Sequence, residues 1–373
     1  MGDSREVNRE DARSREIRTI SGVLAASGGM ALIFTIALAV MVALAFILSK
    51  QPVRTLTYFF LGPVQNIYYF GNMLNSAIPL MFGGLGVAIA MQGGSLNLGG
   101  EGQIYTGALV ATICALALAR LGVFGALLAL AAGAIAAGVV AGFSGFLKVT
   151  WNTNELITSF LLSNALILIN NYMITGPFLD PATNLQSTRK IAETLWLPQI
   201  LPPSNLSAAL YLAILAVILL YFFLYRTRIG YEIRICGLNE RFAWYGGINA
   251  GRITTLAMFI SGGLYGLGGG LAVLGSYHAA IKEFSAGMGW NGLAVALIAR
   301  SRPQAILPAA IFFAWIGAGS RMAMQFSDVT YEIASIVQSV IFFLVTSLTL
   351  RNLFNTRMNN KMSRIARETT EHQ

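Results

Sequence analysis

Ten apolar segments separated by short polar stretches run along almost the whole chain. Most of them can form a helix of the roughly 20 residues that crosses a hydrocarbon core of about 30 Å. The eighth, WNGLAVALIA, is too short and predicts a half-helix or re-entrant piece that protein must surround. The segments lie near residues 29–49, 73–92, 103–119, 122–147, 155–174, 207–225, 253–275, 289–299, 303–320 and 332–350.

The composition agrees with this pattern and sets an orientation. Of the 373 residues, 55% are hydrophobic and 11% charged, whereas a soluble globular domain carries about 25% charged residues. The predicted fold class is an all-α polytopic membrane protein with about ten transmembrane or partly spanning helices.

The distribution of basic residues predicts the orientation in the membrane. Eighteen of the 25 Lys and Arg residues fall in the segments predicted to lie inside. This bias predicts N-in/C-in topology, so the net charge of +9 marks cytoplasmic loops rather than nucleic-acid binding.

The polar segments divide the chain into regions. Residues 1–28 carry mixed charge and predict a cytosolic arm, 29–350 are predicted to form the transmembrane domain, and 351–373 a basic cytosolic tail. The Pro-rich loop 175–206 is predicted to lie outside. A loop of that length is uncommon without a function, so it either contacts an extracytoplasmic partner or simply caps the surface.

Two of the apolar segments carry small residues at four-residue spacing. Such a face lets helix backbones approach closely in lipid, and helix packing is the role expected for both faces. One consists of Gly133, Ala137, Ala141 and Gly145, and the other of Gly262, Gly266 and Gly270.

Catalytic chemistry is missing from the sequence. It has no phosphate-binding loop of the G-x-x-x-x-G-K-[S/T] type and no nucleophile elbow, so no catalytic residues are predicted. Two cysteines and two histidines cannot build a metal site at these spacings, and no cofactor is expected. Ion-coupled carriers usually need buried ionisable relays, and the scarcity of acidic residues in the apolar segments counts against a secondary carrier.

The longest basic loop, 226–252, contains a short helix-like stretch from Leu238 to Tyr245 bounded by glycines. Aromatic side chains at Phe242 and Trp244 make it amphipathic. A helix of this kind fits a groove on a partner protein, but it would equally suit the lipid headgroup region, where Arg and Trp are also favoured.

The stretch RTRIGYEIRICGLNERFAWYGGINAGRI closely resembles the coupling loop of ABC importer permeases in the branched-chain amino acid, ribose and nucleoside superfamily. Matches to the common pattern occur at Gly230, Arg234, Gly237, Asn239, Ala243, Tyr245, Gly247 and Ile248. Departures occur at Ile235, Phe242 and Trp244, which should alter the fit to the ATPase rather than the role of the loop. The resemblance implies that the ATPase-coupling residues are Gly237, Asn239, Glu240, Arg241, Ala243, Tyr245 and Gly247.

Three further segments carry the same resemblance. GLGVAIAMQGGSLNLGGEGQIYTGA looks like a signature of this superfamily, and TNELITSFLLSNALILINNYMITGPFLDP resembles its nucleoside branch. GWNGLAVALIARSRPQAILPAAIFFA resembles a third segment, with Asn291 in place of the usual aspartate. In this family the first segment interrupts helices beside the translocation route. There Asn97, Glu101 and Gln103 either satisfy freed backbone groups or contact the substrate.

The resemblance implies one half of the pore of an importer. Its partners would be cytosolic ABC ATPase subunits, a second permease chain that is identical or paralogous, and an extracytoplasmic substrate-binding lipoprotein. The setting implied is the lipid bilayer of the bacterial cytoplasmic (inner) membrane, which the chain crosses several times.

The expected cargo is a small neutral ring-bearing molecule. The nucleoside branch favours nucleosides; riboflavin or a simple sugar remain alternatives, and a standalone carrier or channel is the alternative of a different class. Asn164 and Asn171 lie seven residues apart and therefore on one helix face. Together with Asn97, Glu101, Gln103 and Asn291 they are the predicted translocation-path residues.

Overall fold

The structure is a computed structural model that describes residues 49–328 continuously, with the isolated positions 39, 42, 43, 45–47, 336, 339, 340 and 343. The predicted arm 1–28, the tail 351–373 and most of the apolar segments 29–49 and 332–350 lie outside the described residues. The described chain divides into a large compact unit, Tyr58–Met322, and a smaller one made of the described residues before and after it. The large unit is described below.

Between residues 49 and 328 the chain forms α-helices joined by short 3₁₀ turns, one π-helical turn and isolated β-bridges, with no β-strand. The all-α prediction is therefore confirmed for the described chain. The helices are α1 Pro52–Leu61, α2 Ile67–Gln92, α3 Gly100–Ala117, α4 Gly122–Trp151, α5 Glu155–Thr175, α6 Ala209–Arg226, α7 Arg228–Leu238, α8 Glu240–Tyr245, α9 Ala250–Ala272, α10 Met288–Ile298 and α11 Pro303–Phe326.

Six helical stretches of the described chain are long and apolar enough to cross a membrane. They are Ile67–Gln92, Ala119–Trp151, Glu155–Thr175, Ala209–Arg226, Ala250–Tyr277 and Pro303–Phe326. The short helix α10, with 11 residues, agrees with the half-helix predicted at 289–299. The count of about ten crossings stays a prediction. Helices α1 and α7 were not predicted, because their mixed polar and apolar residues do not form an apolar run.

Helix α9 lies at the centre and packs against α4, α3 and α2. The two small-residue faces meet here: a Cβ atom on Gly266 would lie 2.6 Å from the carbonyl oxygen of Gly133, and one on Gly262 would collide with the carbonyl of Ala137. The predicted close packing of these faces is confirmed. No side chain separates the two backbones at these points.

Two interruptions in the helices come together beside α9. One is the segment 93–99 between α2 and α3, and the other is the loop 278–287 before α10. Gly289, in the first turn of α10, packs directly on the backbone of Glu101, the second residue of α3. The two breaks therefore form a single region.

Candidate translocation site and coupling loop

Asn97 and Gln103 form a reciprocal pair of side-chain amides within the first break. Asn97 Nδ2 donates to Gln103 Oε1 at 2.7 Å, and Gln103 Nε2 donates to Asn97 Oδ1 at 3.0 Å. Asn97 also accepts from the backbone amide of Gly99 at 2.9 Å and donates to Ser261 Oγ of α9 at 3.0 Å. Both side chains are buried. Their polar atoms are thus hydrogen-bonded internally, as buried polar groups generally are.

Glu101 joins the two breaks. Its Oε1 accepts from the backbone amide of Gly287 at 2.9 Å, and its Oε2 accepts from that of Gly289 at 2.8 Å. The first amides of a helix have no partner within the helix, and the N-terminal end favours negative charge. Glu101 therefore caps the start of α10. In this conformation it holds backbone in place, as do Asn97 and Gln103; substrate contact by these three stays a prediction.

The face of α5 that carries Asn164 is exposed and combines an amide with aromatic rings. Asn164 Nδ2 donates to the carbonyl of Phe160 at 2.9 Å. The ring of Phe160 lies 6.0 Å from that of Trp290, on α10, at an angle of 60°. Asn291, half-buried, follows Trp290 in the chain. Sequence analysis predicted Asn164 and Asn291 as path residues but did not predict the pairing of Phe160 with Trp290. That pairing arises from contact between helices far apart in sequence.

Asn171 lies half-buried at the other end of the same helix. Its Oδ1 accepts from Tyr105 Oη at 2.6 Å, and its Nδ2 points to Glu283 Oε1 at 3.4 Å. Tyr105 Oη in turn accepts from the backbone amide of Glu283 at 3.0 Å. Asn164 and Asn171 therefore have different surroundings, although both belong to α5.

The predicted coupling residues shape a compact turn between α7 and α8. Asn239 caps α8, because its Oδ1 accepts from the backbone amide of Phe242 at 3.0 Å. Ala243, on the inner side of α8, is fully buried, and Gly247 has a left-handed φ of 75° that favours glycine. Glu240 and Arg241 are exposed. Several predicted residues therefore build the loop rather than project from it.

Large apolar side chains project from this turn into the surroundings. Tyr245 is 82% exposed and Trp244 69%, with Leu238 and Phe242 also exposed. Of these, Trp244 and Tyr245 border a groove of about 860 Å³ between α8 and the start of α9. Clustered exposed apolar groups with a polar rim are typical of interaction sites. The groove is lined by Glu240, Arg241, Trp244, Tyr245, Gly247, Ile248, Asn249, Ala250 and Gly251.

The coupling loop touches the first break directly. A Cβ atom on Gly237, near the end of α7, would collide with the carbonyl oxygen of Gln92, the last residue of α2. From the break, Ser95 accepts a hydrogen bond from Lys148 Nζ at 3.0 Å. Lys148 also pairs with Glu155 Oε1 at 2.8 Å, at the first residue of α5. Contacts therefore run without a gap from the coupling loop through the break to α5.

The long loop between α5 and α6 is folded down onto the segment that follows α9. Backbone amides of Thr188, Ile191 and Leu197 donate to carbonyls of Ala280, His278 and Leu274 at 2.9, 2.9 and 3.0 Å. Trp196 stacks on His278 with ring centroids 3.8 Å apart. Burial lowers the pKa of the His278 imidazole, and Lys190 lowers it further.

Comparison with known proteins places this geometry in context. Residues 69–346 match the protein family described as branched-chain amino acid transport system / permease component. A probable riboflavin import permease protein of Treponema pallidum is 35% identical over 83% of this chain and 82% of its own. A glucose ABC transporter permease protein of Haloferax volcanii is 28% identical over 80% and 82% of the two chains.

A third relative is the guanosine ABC transporter permease protein of Bacillus subtilis. It is 29% identical over 77% of this chain and 83% of its own. Among solved structures, none matches the chain. The relatives thus share most of their length with this chain, while their names refer to three different solutes.

Proposed function

The chain belongs to the family of branched-chain amino acid transport system permease components and is an ABC importer permease, and we propose that it forms half of a pore for a neutral ring-bearing solute, foremost a nucleoside. The observation that carries the cargo class is the exposed face of α5. There the side-chain amide of Asn164 donates to the backbone carbonyl of Phe160, whose ring lies 6.0 Å from the ring of Trp290. An uncharged amide with aromatic rings suits a heterocycle that stacks and forms hydrogen bonds.

Riboflavin is the second candidate cargo, and a specific observation favours it. The relative that is 35% identical is named for riboflavin import, whereas the relative named for guanosine is 29% identical. Both solutes carry a planar heterocycle and a hydroxylated chain or ring. A simple sugar would leave the aromatic pair without a planar partner.

The topology proposed is N-in/C-in with about ten transmembrane or partly spanning helices, in the cytoplasmic membrane of a bacterium. Residues 1–28 would form a cytosolic arm and 351–373 a basic tail on either side of the permease domain 29–350. The bias of basic residues toward the loop 226–252 and the other predicted inside segments supports this orientation. The coupling loop would then face the cytosol and the loop 175–206 the exterior.

Coupling to ATP hydrolysis is proposed to begin at the groove beside α8. A separate cytosolic ATPase subunit would bind the exposed Trp244 and Tyr245 side chains and press on the turn that Asn239 caps. Because Gly237 packs against Gln92, movement of the turn must also move the break and, through Lys148 and Glu155, the start of α5. Two-state movement of α5 would open its cargo face to one side of the membrane and then the other.

Two further partners complete the proposed assembly. A second permease chain, identical or paralogous, would cover the exposed side of α5, and an extracytoplasmic substrate-binding lipoprotein would dock on the loop 175–206. The opposing proposal is a standalone carrier or channel. It is disfavoured because the exposed aromatic side chains of the coupling loop would then have no partner.

The test is uptake by the purified importer, with its ATPase, second permease and binding protein, in proteoliposomes. Wild type should accumulate radiolabelled guanosine or riboflavin only with ATP inside.

Trp290→Ala should raise the half-saturation concentration for uptake about tenfold, since aromatic stacking of a base is worth about 1–3 kcal/mol. The matched control is Phe222→Ala on α6, an exposed aromatic remote in sequence from the α5 face, which should leave uptake unchanged. Accumulation without ATP would contradict the importer proposal. Equal effects of Trp290→Ala and Phe222→Ala on the half-saturation concentration would contradict the proposal that the exposed α5 face contacts the cargo.

A further inference from the structure

Glu283 occupies an unusual position at the Asn171 end of the α5 face. It lies exposed in the loop 278–287, with a left-handed φ of 57°. Its backbone amide donates to Tyr105 Oη at 3.0 Å. Because the backbone, and not the carboxylate, makes the short hydrogen bond to the buried Tyr105, the side chain is left facing outward from a fixed point.

The carboxylate of Glu283 makes little use of its hydrogen-bonding capacity within the protein. Among the described residues, the hydrogen bond of its carboxylate is with Asn171 Nδ2 at 3.4 Å, which is long for a hydrogen bond to a charged group. The ion pairs between residues 49 and 328 are Lys148–Glu155 and Arg228–Glu232, and neither includes Glu283. An exposed carboxylate held in this way can accept further hydrogen bonds without losing an internal partner.

The neighbouring groups define which ligand would suit the carboxylate. An ionised carboxylate only accepts hydrogen bonds, and the Asn171 amide offers an N–H beside it. Hydroxyl groups on adjacent carbon atoms can each donate to one carboxylate oxygen, as a ribose hydroxyl donates to an acidic residue in dinucleotide-binding proteins. Riboflavin, glucose and guanosine, the solutes for which the relatives are named, all carry adjacent hydroxyls.

We propose that Glu283 determines specificity by accepting hydrogen bonds from adjacent hydroxyl groups of the cargo, with Asn171 and Tyr105 fixing its position. The inference rests on the proposed function and adds a second recognition point to it. Phe160 and Asn171 are 11 positions apart on α5, or about 16 Å at 1.5 Å per residue. The hydroxyl site is therefore distinct from the aromatic site, and a cargo arriving from the loop 175–206 reaches it first.

The experiment compares cargo pairs in which one member lacks the adjacent hydroxyl groups, using the complete importer in proteoliposomes. Guanosine is paired with 2′,3′-dideoxyguanosine, and riboflavin with lumiflavin, which lacks the hydroxylated chain. Glu283→Gln should raise the half-saturation concentration for the hydroxylated member about tenfold and leave the other member unchanged, because a hydrogen bond to a charged group exists only with the first. Discrimination within the pair should therefore fall about tenfold.

Two controls separate recognition from structure. Glu283→Asp keeps a carboxylate and should retain most of the discrimination. Glu193→Gln removes another exposed carboxylate, in the proposed docking loop, and should leave the discrimination within each pair unchanged even if uptake of both members falls. Equal loss of uptake for both members of a pair, or unchanged discrimination in Glu283→Gln, would overturn the inference. Failure of Glu283→Gln to assemble while Glu283→Asp assembles without discrimination would overturn it as well. Wild type that accumulates neither guanosine nor riboflavin would instead overturn the proposed function, and this inference with it.

Discussion

Two loops at opposite ends of α9 place their tryptophans in opposite settings. In the loop 175–206, Trp196 stacks on His278 and its Nε1 donates to the carbonyl of Ile191 at 3.1 Å. In the coupling loop, Trp244 is 69% exposed and meets only the neighbouring Tyr245 ring, 5.3 Å away, among the ring contacts recorded for described residues. Both loops are rich in apolar residues, but only the first stacks its tryptophan on a distant part of the chain.

The difference indicates what each loop has to bind. Exposed aromatic side chains forgo about 1.5–3 kcal/mol each that burial would supply, so a surface that keeps several of them suits a partner that covers them. The loop 175–206 buries Ile191 and Leu195 and leaves Leu179 and Leu185 exposed, so a partner would meet a mostly polar outer side. We therefore expect affinity at the coupling loop to come from a few aromatic residues, and at the long loop to be spread over polar contacts.

The largest effect is expected at the point where the coupling loop touches the break. In Gly237→Leu the new side chain would collide with the carbonyl oxygen of Gln92 and force the loop away from α2. ATP-driven uptake should fall more than about a hundredfold, because a coupling surface displaced by even 1 Å can cost that much. Gly246→Ala is the control, since its Cβ would have its nearest contact at 3.3 Å. Equal uptake in the two variants would show that this contact carries no coupling.

A second, smaller effect compares the two tryptophans directly. Trp244→Ala should weaken binding of the ATPase subunit about thirtyfold, the loss of roughly 2 kcal/mol typical of an interface aromatic. Trp196→Ala should leave that affinity unchanged and instead lower the thermal stability of the permease. The measurements are pull-down affinity in detergent and melting temperature of each variant. Similar ATPase affinities for the two variants would contradict the contrast between the loops.

The smallest effect concerns pH at the long loop. Because the pKa of His278 is lowered in the folded protein, the undocked form, with a pKa near 6.5, binds more protons as pH falls. The docked loop therefore loses stability below about pH 6.5 and keeps it above. Proteolysis between residues 181 and 186, which are exposed, should accelerate a few-fold from pH 7.5 to 5.5. His278→Asn, in which Asn tolerates the left-handed backbone, should flatten the pH dependence of proteolysis. The same pH profile in the variant as in wild type would contradict a role for His278.

Much of the fold was predictable because its signals are local. The apolar runs gave the helices near 73–92, 122–147 and 155–174 within a few residues, and glycine spacing gave the contact between α4 and α9. The glycine-bounded amphipathic stretch from Leu238 to Tyr245 indicated helix α8, although not its cap by Asn239. Each of these features depends on residues within one helical turn or on a repeated spacing.

What the sequence could not supply depends on contacts between distant residues. Nothing in the sequence around Glu101 shows that its carboxylate would cap α10, more than 180 positions further along. The pairing of Phe160 with Trp290 and the stacking of Trp196 on His278 arise in the same way. Helix α1 was missed because its polar residues interrupt the apolar run on which helix prediction in membranes relies.

The close contact between α4 and α9 has a consequence for building hybrid permeases. Where backbone meets backbone at Gly133 and Gly266, there is no layer of side chains that could adapt to a foreign helix. A hybrid that takes α4 from one relative and α9 from another must therefore reproduce both glycine patterns in the same register, whereas α5 and α6, with most of their surface outside the protein core, can be exchanged singly. We therefore expect α4 and α9 to be exchangeable only as a pair.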